Sequence, residues 1–414
     1  MTSKLAIDGG TPVRGNPMPG RGHFGSEEKA IVMKLFEECI AQGGAPGYGG
    51  AYETQYEQDF AQFMGGGFAD GVNSGTNALF VALGGLQMEP FSEVIVPPIS
   101  DPGGVMPVVF VGCVPVAADA DARTYNTSVD QIKPMINERT RAIVIAHIAG
   151  DPVDMDPILE LARSKGIYVV EDCAQAHGAK YKGRLVGTMG DISAFSTMFG
   201  KHHCTGGQGG VVFTRNEKLH WQARRFADRG KPYNIPDATG NVTAGLNCNL
   251  SELGAAIGIA QLKKLPEIVR RRRQVAGAID QGLKSSKILS IGWQVPQTES
   301  SYWFLKLKLN IDAIRVDKNT FCKALTAEGL PINPDYRHIP SEAPWFKNKA
   351  VFGTSGFPWN CSEYKGPKNP QFKMDNAIKA TETHFNLHFN ESYGPKEIAD
   401  TLSAFEKVEK AYVK

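Results

Sequence analysis

Between residue 72 and about residue 215, short apolar runs alternate with longer segments of helical period, and this rhythm leaves few folds open. The runs are Glu93–Val96, Val114–Ala117, Ala142–Ala146, Ile167–Glu171, Ile192–Phe195 and Gly210–Phe213. Helical spacing of apolar residues falls at Thr76–Leu86, Ser128–Ile136 and Met155–Lys165. Continuous apolar runs read as strands buried on both faces. Strand, helix and strand in repetition mean an α/β fold, a mostly parallel sheet covered by helices. Ligands of such sheets bind at the carboxyl ends of the strands, so chemistry is expected just after the runs.

The rest of the chain reads differently. Gly43–Gly50 and Gly65–Gly71 are dense in glycine and read as loops. Ser251 is an N-cap candidate for a helix to Leu265, which Pro266 is expected to interrupt before a second helix, Glu267–Leu283. Tyr302–Leu309 alternates like a half-buried strand. At ~150 residues per domain the length allows two or three units. The expected division is a large domain with an N-terminal arm over residues 1–270 and a smaller C-terminal α+β domain over 271–414.

Composition excludes several function classes. With 42% hydrophobic and 21% charged residues, the chain is ordinary globular material. Forty-five Lys and Arg against 43 Asp and Glu leave a net charge of +2, which gives no electrostatic case for a nucleic-acid partner. The seven cysteines are odd in number, widely spaced and form no CxxC pair, which argues against a disulfide scaffold or a zinc site and for a reducing, cytoplasmic setting. The opening residues carry no apolar signal core. The most apolar stretch, Val105–Val116, holds Pro107 and Pro115 and is too short to cross a membrane.

Three segments carry chemistry. Asp172 follows the run Ile167–Glu171, where a carboxylate can point into a crevice; the same residue would also serve as a helix N-cap or in a structural ion pair. Lys201 lies in the small-residue stretch Phe195–Gly210. A loop lysine is ordinarily a solvated charge, but one shielded in a crevice has a lowered pKa and can form a Schiff base with a carbonyl. Asn73–Leu79 sets Gly75 and Thr76 at a helix start, either an ordinary cap or an anion site suited to phosphate. A phosphate cradle, an acidic partner and a Schiff-base lysine, in this order on an α/β sheet, are what pyridoxal phosphate requires. No metal site is read in the sequence.

These segments, with Leu5–Arg14, Asp119–Asn126, Ala146–Asp156 and Gly245–Leu262, resemble the DegT/StrS-type sugar aminotransferases, whose architecture is fold-type I, aspartate aminotransferase-like. The resemblance implies that Lys201 is the Schiff-base lysine and Asp172 the partner of the pyridinium nitrogen. It implies Gln175 beside the ring and its phenolic oxygen, and Gly75, Thr76 and Ser196 at the phosphate. Asn247 would reach the phosphate of a second subunit, which implies a homodimer with shared active sites. Tyr336, Arg337, His338 and Trp345 are expected substrate contacts by their position in the family pattern.

The chain departs from that pattern at three places. Asn249 stands where the family has an arginine. Asp101 stands where an aromatic residue stacks on the cofactor. His202 and His203 follow Lys201, and the family's deoxysugar dehydratases carry a histidine in the lysine position; the ungapped spacing from Ser196 favours Lys201. His177 is expected to be a structural histidine. Arg270–Arg273 are expected on a solvated helix face or at a dimer contact.

The expected activity is pyridoxal-phosphate-dependent transfer of an amino group from glutamate or glutamine to a keto sugar, nucleotide-linked in many relatives, or to a cyclitol ketone. The alternatives are a dehydratase and a non-catalytic cofactor-binding regulator on the same fold.

Overall fold

The computed structural model describes residues 4–336 and 338–414. Its strands are β1 (Phe68–Val72), β2 (Glu93–Val96), β3 (Val114–Ala117), β4 (Thr140–Ala146), β5 (Tyr168–Asp172), β6 (Lys180–Tyr181), β7 (Arg184–Leu185), β8 (Ile192–Ser196) and β9 (Gly210–Thr214). Further along come β10 (Leu289–Ile291), β11 (Thr298–Glu299), β12 (Leu305–Leu309), β13 (Ile332–Asn333) and β14 (His384–Leu387).

Seven of these form the main sheet, in the order β1-β9-β8-β5-β4-β2-β3. The pairs from β8 through β5, β4 and β2 to β3 are parallel, and β9 runs antiparallel to both of its neighbours. The six apolar runs are thus six strands of one sheet, as their lack of alternation requires. The seventh, β1, lies in the segment expected to be a loop. Its Gly71 is there for packing: a β-carbon at that position would meet the Leu250 side chain at 3.2 Å. Glycine here marks a close approach of chain to chain, not a turn.

Helix Met155–Lys165 forms as expected, ending on Gly166 in the left-handed conformation. The segment Ser128–Ile136 makes only a short helix, Val129–Ile132, and a 3-10 turn, because Pro134 removes a backbone donor. Pro266 does not interrupt its helix, which runs unbroken from Glu252 to Leu283. Leu262, Leu265, Ile268 and Val269 are all buried around the proline, and this packing outweighs the one missing donor. Two of the four arginines in this helix, Arg270 and Arg271, are exposed as expected, and the other two turn inward. Arg272 is buried, with Nε on Glu391 and Nη1 on the Tyr302 and Trp303 carbonyls. Arg273 is half-buried and donates to the carbonyls of Ser300 and Gly178; Arg271, though exposed, donates to the Glu391 carbonyl, and Arg270 pairs with Glu267.

A second sheet, in the order β10-β12-β14-β13, carries its own core of Leu305, Leu307, Phe321, Leu325, Phe385 and Phe405. Of the expected strand Tyr302–Leu309, only Leu305–Leu309 pairs; Tyr302 sits at φ 50° and turns the chain before it. Packing does not divide at residue 270. Leu5 of the N-terminal arm belongs to the second core. Ile339, Met374, Ala377 and Ala380 pack back into the core of the main sheet.

Candidate active site

The carboxyl ends of β5 and β8 and the start of helix Gly75–Gly85 converge on one cavity of about 250 Å³. Gly75, Thr76, Asp172, Gln175, Ser196 and Lys201 all line it. Ser74 caps the helix, its side chain accepting from Asn77 N at 3.1 Å. Leu79, Val81 and Leu83 bury the helix against the sheet, each contributing about 1.5–3 kcal/mol. Its first turn is therefore fixed, with early N–H groups that have no helical acceptor facing the cavity.

Successive side chains of a strand point to opposite faces, and the end of β5 uses both. Glu171 turns inward and is wholly buried. It accepts from Gly187, Met189 and Gly190 backbone N–H groups and faces His147 Nε2 at 3.2 Å. Burial alone would raise this carboxyl, but the His147 hydrogen bond and the backbone donors hold it below its ordinary value. Val153 N–H donates to His147 Nδ1, so Nε2 carries the imidazole proton. Asp172 turns to the cavity with one backbone donor, Ala174 N at 3.0 Å, and burial pushes its carboxyl up despite Lys201. It is a carboxylate short of a positive partner.

Lys201 is buried in this wall, and desolvation lowers its amine to about 8 although Asp172 and Asp101 oppose the shift. Its Nζ stands 4.0 Å from the centre of the Trp303 ring, and the Trp303 Nε1–H donates to the Gly200 carbonyl at 3.2 Å. His202 and His203 do not reach the cavity. Both are wholly buried: His202 Nε2 bonds the Ser301 carbonyl, and His203 joins Tyr56 and His177. Burial lowers all three histidines, His203 to about 3, so they are neutral. His177 is a core histidine.

The remaining expected residues are not all brought together. Gln175 accepts from Ala149 N and donates to the Tyr336 hydroxyl at 2.7 Å, so Tyr336 stands one hydrogen bond behind the cavity wall. His338 is exposed and lies edge-on to Tyr336, outside the cavity lining. Trp345 packs beside Phe346, against the main core. Arg337 lies outside the described residues. Asn247 is exposed, off the cavity, its Oδ1 accepting from Asn249 N and Nδ2.

Sequence reasoning missed Ser100, His147, Met198, Gln208 and Trp303 as parts of the site. Asp101 does line the cavity, and its Oδ1 accepts from Gly103 N, so it caps the turn Pro102–Gly104. Position at a strand end was a usable signal for Ser100 and His147, which follow β2 and β4.

The donor set fits a flat phosphorylated aldehyde. A β-carbon at Gly75 would strike Ser196, so this junction is kept open by glycine. Beyond it stand a weakly basic amine and a carboxylate in want of a cation. Sheet, cavity and this pairing define an enzyme of the fold-type I aminotransferase class. The chain belongs to the DegT/DnrJ/EryC1/StrS aminotransferase family, which residues 28–358 match. It is 34% identical to a GDP-perosamine synthase of Escherichia coli O157:H7 over 62% of this chain and 70% of that protein. It is 31% identical to the L-glutamine:2-deoxy-scyllo-inosose aminotransferase of Streptomyces fradiae over 99% of this chain and 98% of that one. The solved aminotransferase of Psychrobacter cryohalolentis superposes with a TM-score of 0.83 at 28% identity, covering 95% of this chain and 99% of that one.

Proposed function

We propose that the protein moves an amino group from glutamate or glutamine to the ketone of a sugar, free or nucleotide-linked, or of a cyclitol, with pyridoxal phosphate held in this cavity. The observation that carries the reading is the placement of Lys201, amine at about 8, in one wall with Asp172 and the helix start at Gly75. The names of the relatives, one for a GDP-linked amino sugar and one for glutamine and an inosose, support both halves of the reaction.

When bound, the cofactor supplies a carbonyl carbon that takes the amine and a ring that delocalises the electron pair left at the α-carbon. Gly75, Thr76 and Ser196 bind its phosphate through backbone and hydroxyl donors. Asp172 keeps the ring nitrogen protonated, which gives that carboxylate the cation it lacks. Gln175, fixed at both ends by Ala149 and Tyr336, orients the opposite edge of the ring. Lys201 would be the residue that holds the cofactor's carbonyl carbon, and its amine would serve as the base that moves the proton between carbon centres. An amine at about 8 is suited to this, since about a tenth of it is unprotonated at pH 7, on the order of a hundredfold more than for an ordinary lysine.

The neutral, walled-in state of His202 and His203 supports a lysine and not a histidine as the reacting residue, and so amino transfer over dehydration. Asn247, absent from its own cavity, is assigned to the phosphate of a second copy in a homodimer. The cysteine pattern supports a cytoplasmic reaction; among the described residues no helix is long and apolar enough to cross a membrane.

The test is to load the protein with pyridoxamine phosphate and offer keto sugars and cyclitol ketones. Return of the aldehyde chromophore with one of them supports the reading. A pyridoxamine form that no ketone discharges, and an aldehyde form that neither glutamate nor glutamine discharges, would mark a non-catalytic binder.

A further inference from the structure

The loop that carries Lys201 is held from outside by an arginine of the N-terminal arm. Arg21 Nη1 donates to the carbonyls of Lys201 at 2.5 Å and Gly200 at 3.2 Å, and Nη2 donates to that of His202 at 3.2 Å. Its Nε donates to Glu391 Oε1 at 3.2 Å. One guanidinium thus spans three consecutive carbonyls and a carboxylate. A planar fork of five donors can do this and an ammonium cannot.

Glu391 is itself fixed. Arg272 Nε donates to its Oε2 at 2.9 Å, and His23 Nε2 stands 2.6 Å from its Oε1. Against burial, His23, Arg272 and Arg21 hold this carboxyl down at about 2, so it stays charged wherever the enzyme works. Arg272 also donates to the carbonyls of Tyr302 and Trp303, the residue whose ring faces the Lys201 amine. The lysine loop and its aromatic neighbour therefore hang from one ionic centre, which joins the arm, the long helix Glu252–Leu283 and the turn after β14.

We propose that Arg21 is a positioning residue for Lys201: by clamping the carbonyls of residues 200–202 it keeps the lysine amine withdrawn into the cavity wall and ready to react. The inference rests on the reading of Lys201 as the cofactor lysine. Without the fork, the three carbonyls would turn to water and the loop would carry the amine outward. A better hydrated ammonium is more stable, so the amine would become more basic and less nucleophilic at neutral pH.

The test follows capture of pyridoxal phosphate by the cofactor-free full-length protein, trapped with borohydride, as initial rate against pH. The wild type is expected to show a midpoint near the value set by burial, about 8. Arg21→Ala and Arg21→Lys are both expected to move it upward by about one unit, which is about tenfold slower capture at pH 7. Arg14→Ala is the control: Arg14 ties the same arm to Asp400 and touches nothing in the lysine loop, and its midpoint should stay in place. If Arg21→Ala does not fold, Arg21→Lys decides. A wild-type midpoint in Arg21→Lys, or an equal shift in Arg14→Ala, overturns the proposal, for then any cation or any fastening of the arm would serve. Trapping that persists in Lys201→Ala overturns the underlying reading of the lysine instead, and the two failures are distinct.

Discussion

Gly75 and Ser196 approach so closely that a β-carbon added to the glycine would lie 2.4 Å from Ser196 Cβ and 2.8 Å from its Oγ. The helix start and the end of β8 are thereby pressed into one concave surface. Alanine normally favours a helix over glycine by about 0.5–1 kcal/mol. Here the clash reverses the sign, since overpacking costs typically about 1–3 kcal/mol. Gly75→Ala is expected to lower stability and to weaken pyridoxal phosphate binding about tenfold or more. Thermal unfolding and a spectroscopic titration check this, and a variant of unchanged stability that binds as the wild type does would refute the cradle.

The buried amine of Lys201 has a signature in stability. Its ordinary value is 10.5 and its folded value is about 8. Below pH 8 it is protonated in both states and burial destabilises the fold in full. Between 8 and 10.5 the folded chain binds fewer protons than the unfolded one, so stability rises with pH through that window. Relative to Lys201→Met, the cofactor-free wild type should gain about 3 kcal/mol between pH 7 and 10.5. Urea unfolding of both proteins at the two pH values measures it. A constant difference between them would mean that the amine is solvated.

Asp172→Asn separates chemistry from fold. The amide keeps an acceptor for Ala174 N–H and removes a charge that burial disfavours, so stability should hold or rise slightly. It cannot keep a ring nitrogen protonated, and loss of such a fixed charge costs on the order of 10²-fold or more in rate. Turnover near the wild-type value would show the carboxylate to be structural.

The sheet and much of the site were legible because buried parallel strands write themselves as apolar runs, and the residues just past them face the ligand. Asp172 and Lys201 were found in this way, and so could His147 have been. β1 was hidden because close packing and turning both select glycine, as Gly71 shows. Pro266 misled because the rule for proline is local, while burial of Leu265 and Ile268 around it is tertiary. Trp303 and Arg21 left no local trace. Each acts on the Gly200–Lys201 segment from a distant part of the chain, and a lone tryptophan or arginine carries no spacing to read. His338 and Trp345 were placed by pattern alone, and neither is part of the cavity lining.

The placement of Asn247 bears on assembly. It is exposed and outside the cavity of its own chain, where its Oδ1 does no more than accept from Asn249. Such a bond is an ordinary turn device of asparagine. The family pattern instead assigns this residue to the phosphate of a second copy. A twofold dimer would then build each site from both chains. Exposed Met33, Phe36, Ile40, Phe199 and Leu246 are apolar surface for such a contact. The two uses separate on mixing. Lys201→Ala chains lack the reacting amine, and Asn247→Ala chains should bind cofactor weakly. In a heterodimer one site inherits both defects and the other neither. Equal mixing makes half the dimers hetero, so about a quarter of the wild-type sites should be complete, by twofold symmetry. Activity at that level, rising with the measured heterodimer fraction, is the expected result. Heterodimers that form and add nothing above the parent variants would confine Asn247 to its own chain.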